Sequence, residues 1–576
     1  MNKARFAATF AFLAFAHGAM TTAHANDEEG KEGSYLPTPM AERARADDDA
    51  LAPKHLQNDE VWELERAGLA SAGRDRDTLQ ALGFHPDDPV ALGALREEIR
   101  ESHPVQPWAT GDFFLDTTWG TGGHAPYRYF GPAEGIYRGI RAARLSDGTI
   151  VALGAVRLPG GDLQAAVTRR NAAGQALTWT QGNPAFVNNG YNLFIPGTAT
   201  NYPRTYQVID LKANGNRFYV LATVDLRPPE FADVYGVAVH CFNADGSWCG
   251  GKYAWSDGNR VPNHAVALDV LDNRLIVLGR NSGLGNTSGG FWTIKWDLTA
   301  DGGFANGTLG RFPSPNGYDR SEPVDIAFQR DGSPIFTSTG NYYVLFSRKW
   351  SADASSDDFD PCLLAVKVDH APDTSFPGTN GGVRCKFFDA VPSGHDKAIA
   401  LVAGSYSVFV PPGLFQSRQK VHVLVDVQRN GRDGFGIWAM RDRADDTAFG
   451  PSGQRVYADT CTGPYCLGTR AYKGLDLAYL GADLAIAGYD DRRILASTYL
   501  SPMLARIDIG NGDLLQYRVV DSGYDDGQFN SLVVRDSQRV VGIGEAVDSD
   551  VAAPAARTQI MIGLTSDDTI YKNGFD

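Results

Sequence analysis

The sequence predicts an all-β chain folded as a seven-bladed β-propeller of four-stranded antiparallel blades, and three observations lead there. An apolar couple behind a polar turn returns seven times: Ile150-Val151, Tyr219-Val220, Ile276-Val277, Ile335-Phe336, Val421-His422-Val423, Leu484-Ala485-Ile486 and Val540-Val541. The steps between them are 69, 57, 59, 86, 63 and 56 residues, so one supersecondary unit is repeated. Each couple is followed by a second alternating strand, beginning at Ala165, Val237, Trp292, Leu364, Phe435, Met503 and Gln559. Between strands stand turns such as Asn171 to Gly174 and Asn243 to Gly246, whose Asn, Asp and Gly tolerate left-handed backbone. One four-stranded sheet cannot hide both faces alone; sheets set face to face around an axis can.

Taken in order, residues 1–25 read as a signal peptide. Lys3 and Arg5 precede the apolar run from Phe6 to Ala16, and Ala23-His24-Ala25 offers small residues for cleavage. That run is too short to span a bilayer stably. Residues 26–110 form a polar leader with two short helices. Asp59 caps a stretch bearing Val61, Leu64 and Leu69, and Asp88 precedes Pro89, Val90, Leu92 and Leu95. The propeller occupies 111–565, and 566–576 is a C-terminal tail.

Hydrophobic content of 43% with 11% aromatics suffices for a packed interior and excludes wholesale disorder. Cleavage after Ala25 removes Lys3 and Arg5 but no acid, taking the net charge from −15 to −17. Such a surface repels phosphate backbones, so no nucleic-acid partner is expected. No later stretch reads as a transmembrane helix. Six cysteines form three near neighbours, Cys241 with Cys249, Cys362 with Cys385 and Cys461 with Cys466. Proximity favours three local disulfides, as an oxidising compartment would preserve. None of the pairs has zinc-knuckle spacing.

Leu115-Asp116-Thr117-Thr118-Trp119-Gly120, followed by the turn Ser146 to Gly148, Ile150-Val151 and the strand Val167 to Gly174, resembles the delta-60 repeat of exported bacterial propeller proteins. Its leucine-aspartate turn echoes at Asp301, Asp373 and Asp446, each three residues before a phenylalanine. The resemblance implies a repeat scaffold in exported and surface proteins and brings no catalytic residues. The ending Tyr571-Lys572-Asn573-Gly574-Phe575-Asp576 is similar to a short terminus of exported proteins in Xanthomonas-like bacteria. A sorting role and a last strand fragment are both open for it.

Motifs for chemistry are missing. There is no G-x-S-x-G elbow, no Walker loop and no H-E-x-x-H. His124, His240, His264, His370, His395 and His422 lie in separate units without metal-ligand spacing, and His240 and His422 read as core histidines. Acidic clusters at Asp357-Asp358 with Asp360, Asp445-Asp446, Asp490-Asp491 and Asp525-Asp526 read as solvated turns. Calcium in those loops is the one cofactor candidate, and otherwise neither metal nor cofactor is expected. The long step of 86 leaves an apolar insertion from Ser405 to Phe415, and Tyr406, Phe409, Leu414 and Phe415 form a candidate binding loop.

The first functional expectation is a monomeric, exported, non-catalytic scaffold that binds a protein or glycan through loops on one face. It would be secreted, periplasmic or held at the cell surface. The alternative is an extracellular hydrolase or lyase acting on polysaccharide or ester at the channel mouth. A channel lined by small or apolar side chains would favour the scaffold, and clustered Asp, Glu, His and Arg the enzyme.

Overall fold

Seven four-stranded antiparallel sheets stand in a closed ring. The computed structural model describes residues 113–566, apart from internal stretches of which the longest is 127–138. The expected signal peptide, the leader with its two expected helices and the tail from 567 onward lie outside the described residues.

Blade 1 holds β2 (Arg141–Arg144), β3 (Ile150–Arg157), β4 (Leu163–Arg170) and β5 (Tyr191–Phe194). Blade 2 holds β6 (Arg204–Asn214), β7 (Arg217–Asp225), β8 (Tyr235–Asn243) and β9 (Trp248–Ala254). Blade 3 holds β10 (Asn263–Leu271), β11 (Arg274–Asn281), β12 (Phe291–Leu298) and β13 (Phe304–Phe312), and blade 4 holds β14 (Arg320–Phe328), β15 (Tyr342–Lys349), β16 (Phe359–Val366) and β17 (Val383–Cys385). Blade 5 holds β18 (Asp396–Val410), β19 (Leu414–Arg429) and β20 (Arg432–Arg441), which pairs with both β21 (Ala444–Asp445) and β22 (Gln454–Ala458). Blade 6 holds β23 (Arg470–Leu480), β24 (Asp483–Ile494), β25 (Ser497–Asp508) and β26 (Leu514–Val519).

Blade 7 is built from both ends of the fold. It holds β27 (Asp526–Val534), β28 (Arg539–Val547) and β29 (Arg557–Thr565), and β1 (Phe114–Leu115) pairs with β29 as its outermost strand. The segment after β1 repeats what the chain does in blades 4 and 5. The Asp116 N–H donates to the Gly563 carbonyl at 2.9 Å, as Asp373 does to Ala365 at 2.8 Å and Asp446 to Ala439 at 3.0 Å. In all three turns the aspartate Oδ1 accepts the N–H two residues on, from Thr118, Ser375 and Ala448. The aromatic after it, Trp119, Phe376 or Phe449, is buried. The echo at Asp301 makes a different turn, in which Oδ1 accepts from Thr299 Oγ1 and from Gly303 N. Trp119 also explains Gly174, whose φ of +80° and closeness to the indole leave no room for a side chain.

Seven apolar clusters fill the seven seams between neighbouring blades. They arise because alternate residues of each strand point to opposite faces, and both faces meet a neighbouring sheet. The seam between blades 7 and 1 also carries a buried polar row. Gln528 and Gln559 pair across the ladder with Glu545, and Thr168 Oγ1 of blade 1 meets Gln559 Oε1 at 3.1 Å.

Every second-strand anchor read from the sequence lies in the third strand of its blade, and six of the seven apolar couples lie in the second. Ile335-Phe336 falls outside the described residues, and β15 supplies that strand in blade 4. Two disulfides are formed, Cys241–Cys249 and Cys362–Cys385. Cys461 and Cys466 lie outside the described residues. No helix among the described residues is long and apolar enough to cross a membrane.

Candidate functional site

Two charged sets sit along the first two strands of the blades. The deeper set girdles the channel. Asp210, Asp325 and Asp476 each stand at a β-bulge of an inner strand, and Asp269 follows one closely. Each passes one oxygen to a backbone N–H of a later blade. Asp210 Oδ2 accepts from Leu268 at 3.1 Å, Asp269 Oδ2 from Phe328 at 2.8 Å, Asp325 Oδ2 from Leu401 at 2.9 Å and Asp476 Oδ2 from Leu532 at 3.0 Å. Asp210, Asp269 and Asp325 also accept the next N–H of their own strands.

Arg141 of blade 1 closes this girdle. Its Nε lies 3.5 Å from Asp210 Oδ1 and its Nη1 3.0 Å from Asp476 Oδ2. Burial pulls the Arg141 pKa down, but the carboxylates of Asp476, Asp210 and Asp325 more than reverse this, and it is raised. Burial also opposes the charge on Lys212, which Asp210, Asp325 and Asp269 restore, raising its pKa. Carboxylates engaged in this way are struts between blades rather than acids or bases.

The second set lies at the end of the channel where the inner strands begin. Arg280, next to last in β11, faces His264 directly across the ladder. Glu322 of blade 4 and Tyr206 of blade 2 are within its electrostatic reach. Glu322 lies 3.9 Å from Lys397 Nζ, which also sits 5.0 Å from the centre of the Phe359 ring. Beyond it, Asp426 and Lys473 pair at 2.6 Å. Cation and anion therefore alternate along an arc from blade 3 to blade 6. Beside Arg280, Tyr206 and Tyr235 pack at 4.3 Å between ring centroids, and His264 lies 5.0 Å from Tyr235. Burial, helped by the Arg280 charge, pushes the His264 pKa down to about 4, so its imidazole is neutral at pH 7. Neither His264 Nδ1 nor Arg280 Nε has a hydrogen-bond partner among the described residues.

This arrangement offers four capacities at one end. A carboxylate flanked by cations can take a proton from water or attack a carbon. A guanidinium can hold an anion, a neutral imidazole can bond a hydroxyl, and a tyrosine pair can pack against a sugar ring.

The binding loop read from the sequence lies elsewhere and is not a loop. Ser405 to Val410 pair with Leu414 to Gln419, so Tyr406, Phe409, Leu414 and Phe415 belong to a β-hairpin prolonging β18 and β19. It extends from the end where inner strands finish, away from Arg280. The step that suggested an insertion is shorter in the structure, 79 residues from Val344 to the corresponding Val423. The acidic clusters also depart from the expected solvated turns. Asp490, Asp491 and Asp526 are buried in strands that run further than their apolar pattern indicated. Asp445 and Asp446 form ion pairs with Arg384, Lys386 and Arg441.

His240 and His422 are buried, and His422 Nδ1 meets the Tyr479 hydroxyl at 3.1 Å. His370 bonds the Tyr342 hydroxyl and Thr308 Oγ1, both at 2.8 Å, between blades 3 and 4. His124 pairs in an isolated bridge with Ile562, and His395 lies outside the described residues. No group of three or more His, Cys, Asp or Glu side chains among the described residues could hold a metal ion. Sequence reasoning missed Arg280, Glu322, Tyr206 and Tyr235. Arg280 ends the run Leu275-Ile276-Val277-Leu278-Gly279, where a charge reads as an ordinary solvated strand end. Only the ring brings these residues together.

No family model and no curated protein matches the chain. Among solved structures it is similar to a GH43 endo-arabinanase from Bacillus licheniformis, at 12% identity and TM-score 0.26, over 53% of this chain and 95% of that one. It is also similar to a xylan β-1,4-xylosidase from Bacillus halodurans, at 10% and 0.24, over 76% and 96% of the two chains. A Trypanosoma rangeli sialidase in complex with sialic acid matches at 10% and 0.35, over 82% of this chain and 60% of that one. Likeness at this level transfers no substrate and no mechanism. The expectation of a non-catalytic scaffold is nonetheless corrected. The channel fails that expectation's own criterion, because its wall carries charged side chains around Arg141 and Glu322 rather than small or apolar ones.

Proposed function

We propose that the protein is an exported hydrolase or lyase acting on extracellular polysaccharide or ester, working at the channel end where the inner strands begin. The observation that carries this reading is Glu322. Its side chain is 32% exposed, lies 3.9 Å from Lys397 Nζ and is within electrostatic reach of Arg280. In this role Glu322 takes the proton of the attacking water or of the substrate carbon, and the flanking cations hold it in place. The disulfides and the delta-60 resemblance support an exported setting.

The test is incubation of the mature protein with a panel of neutral and acidic polysaccharides and aryl esters. New reducing ends, unsaturated ends and released phenol are the readouts. Glu322→Gln should reduce turnover at least about 100-fold with an unchanged circular dichroism spectrum. Equal turnover by E322Q would remove the site from this position, and silence of the wild type across the panel would remove the reading.

A further inference from the structure

Arg280 deepens that reading, on which it rests, by setting the charge of what is bound. Three other cations of the two sets have acceptors: Arg141 has Asp210 and Asp476, Lys397 has Glu322 and Lys473 has Asp426, while the charge of Lys212 is supported by Asp210, Asp325 and Asp269. Arg280 forms no ion pair within 4.0 Å and no hydrogen bond from Nε among the described residues. Arg280 is half-buried, and burial lowers its pKa despite Glu322 and Tyr206, so these neighbours do not fully offset the cost of its charge. Leaving a half-buried guanidinium without an acceptor is unfavourable, and the surroundings can receive the rest of a ligand that brings one. The Tyr206–Tyr235 pair can lie against a ring, and His264, whose buried Nδ1 has no hydrogen-bond partner among the described residues, packs beside it.

We propose that Arg280 holds the carboxylate of an acidic sugar, a uronate, and thereby sets the substrate class of the site as a uronate-containing glycan. The planar fork of a guanidinium matches a carboxylate in two parallel hydrogen bonds. The rest of the surface is acidic, with a formal net charge of −15, but its repulsion is screened beyond about 8 Å at physiological salt. The contact at Arg280 is therefore local, and short acidic oligosaccharides suffice to reveal it.

The experiment is calorimetric titration of the full mature chain with trigalacturonate, with neutral galactotriose and with a sulfated galactan trisaccharide. Trigalacturonate should bind at least tenfold tighter than galactotriose, and Arg280→Met should abolish that preference without changing the circular dichroism spectrum. If R280M does not fold, Arg280→Lys, which keeps the charge but not the fork, should still cost most of the preference. Equal binding of the neutral sugar, unchanged binding by R280M, or an Arg280-dependent preference for the sulfated sugar over the uronate would each overturn the proposal. Its failure is distinct from that of the catalytic reading. Cleavage of neutral glycan that needs Glu322 and ignores Arg280 would sink this inference alone. Uronate binding through Arg280 without turnover of any substrate would sink the catalytic reading alone.

Discussion

Arg141 and Asp476 come from blades 1 and 6, yet Nη1 and Oδ2 lie 3.0 Å apart, with blade 7 between them at the ring's closing point. The same guanidinium reaches Asp210 in blade 2 and the Asn530 carbonyl in blade 7. One side chain therefore ties four blades across the seam where the chain's ends meet. Replacing it by methionine leaves two largely buried carboxylates uncompensated. Arg141→Met should destabilise the fold by about 3–5 kcal/mol, read as a fall in the urea midpoint. A loss below about 1 kcal/mol would mean that water already satisfies the aspartates.

The three matching turns do not carry equal weight in the ring. Asp116 accepts from Thr118 and pairs with Arg535 of blade 7, so it fastens the closing strand, whereas Asp446 sits within blade 5. Asp116→Ala should cost about 2–3 kcal/mol and speed unfolding, and Asp446→Ala should cost about half as much. Unfolding rates measured by denaturant jumps check the ordering.

Buried histidines make stability depend on acid. Burial pushes the pKa values of His240 and His264 down to about 4 and that of His422 down to about 3, the latter two also under nearby cations. In the unfolded chain these groups titrate near about 6.5. Between that pH and about 4 the unfolded state binds protons that the folded state refuses. Their contribution is thus complete above pH 6.5 and is lost as the pH falls, by up to about 1.4 kcal/mol per pH unit for each histidine. Urea midpoints at pH 7 and pH 5 should differ accordingly, and His422→Asn should flatten the slope. Identical slopes for wild type and H422N would contradict this account.

The two disulfides close loops of different length, with separations of 8 and 23 residues. Chain entropy makes the longer one the stronger staple. Replacing Cys362 and Cys385 by alanine should cost about 3 kcal/mol, more than the same change at Cys241 and Cys249. Differential scanning calorimetry of both double variants decides the order.

The repeat was readable because both faces of each sheet are buried, which turns second and third strands into apolar runs such as Ile276-Val277 and Leu484-Ala485-Ile486. The turn at Asp373 was readable because its cap needs that residue type. Asp301 shows the limit of that signal, since the same letters can cap a tight hairpin. The long hairpin was misjudged because Pro411-Pro412-Gly413 and the apolar residues around them read as an inserted loop, although Ser405 pairs with Gln419 regardless. The site around Arg280 and Glu322 was not readable at all. Its members come from five blades and meet only through curvature that no local pattern encodes.

The fastening of Phe114 and Leu115 onto Thr565 and Leu564 sets a timing rule for biosynthesis. A polypeptide halted before its final forty or so residues can assemble its early sheets, yet the hoop stays unclasped and Phe114 finds no mate. Raw strand margins would then face the surroundings, ready to seize another unfinished copy. Premature stops near the carboxyl end should therefore yield clumped material rather than a slightly smaller soluble product.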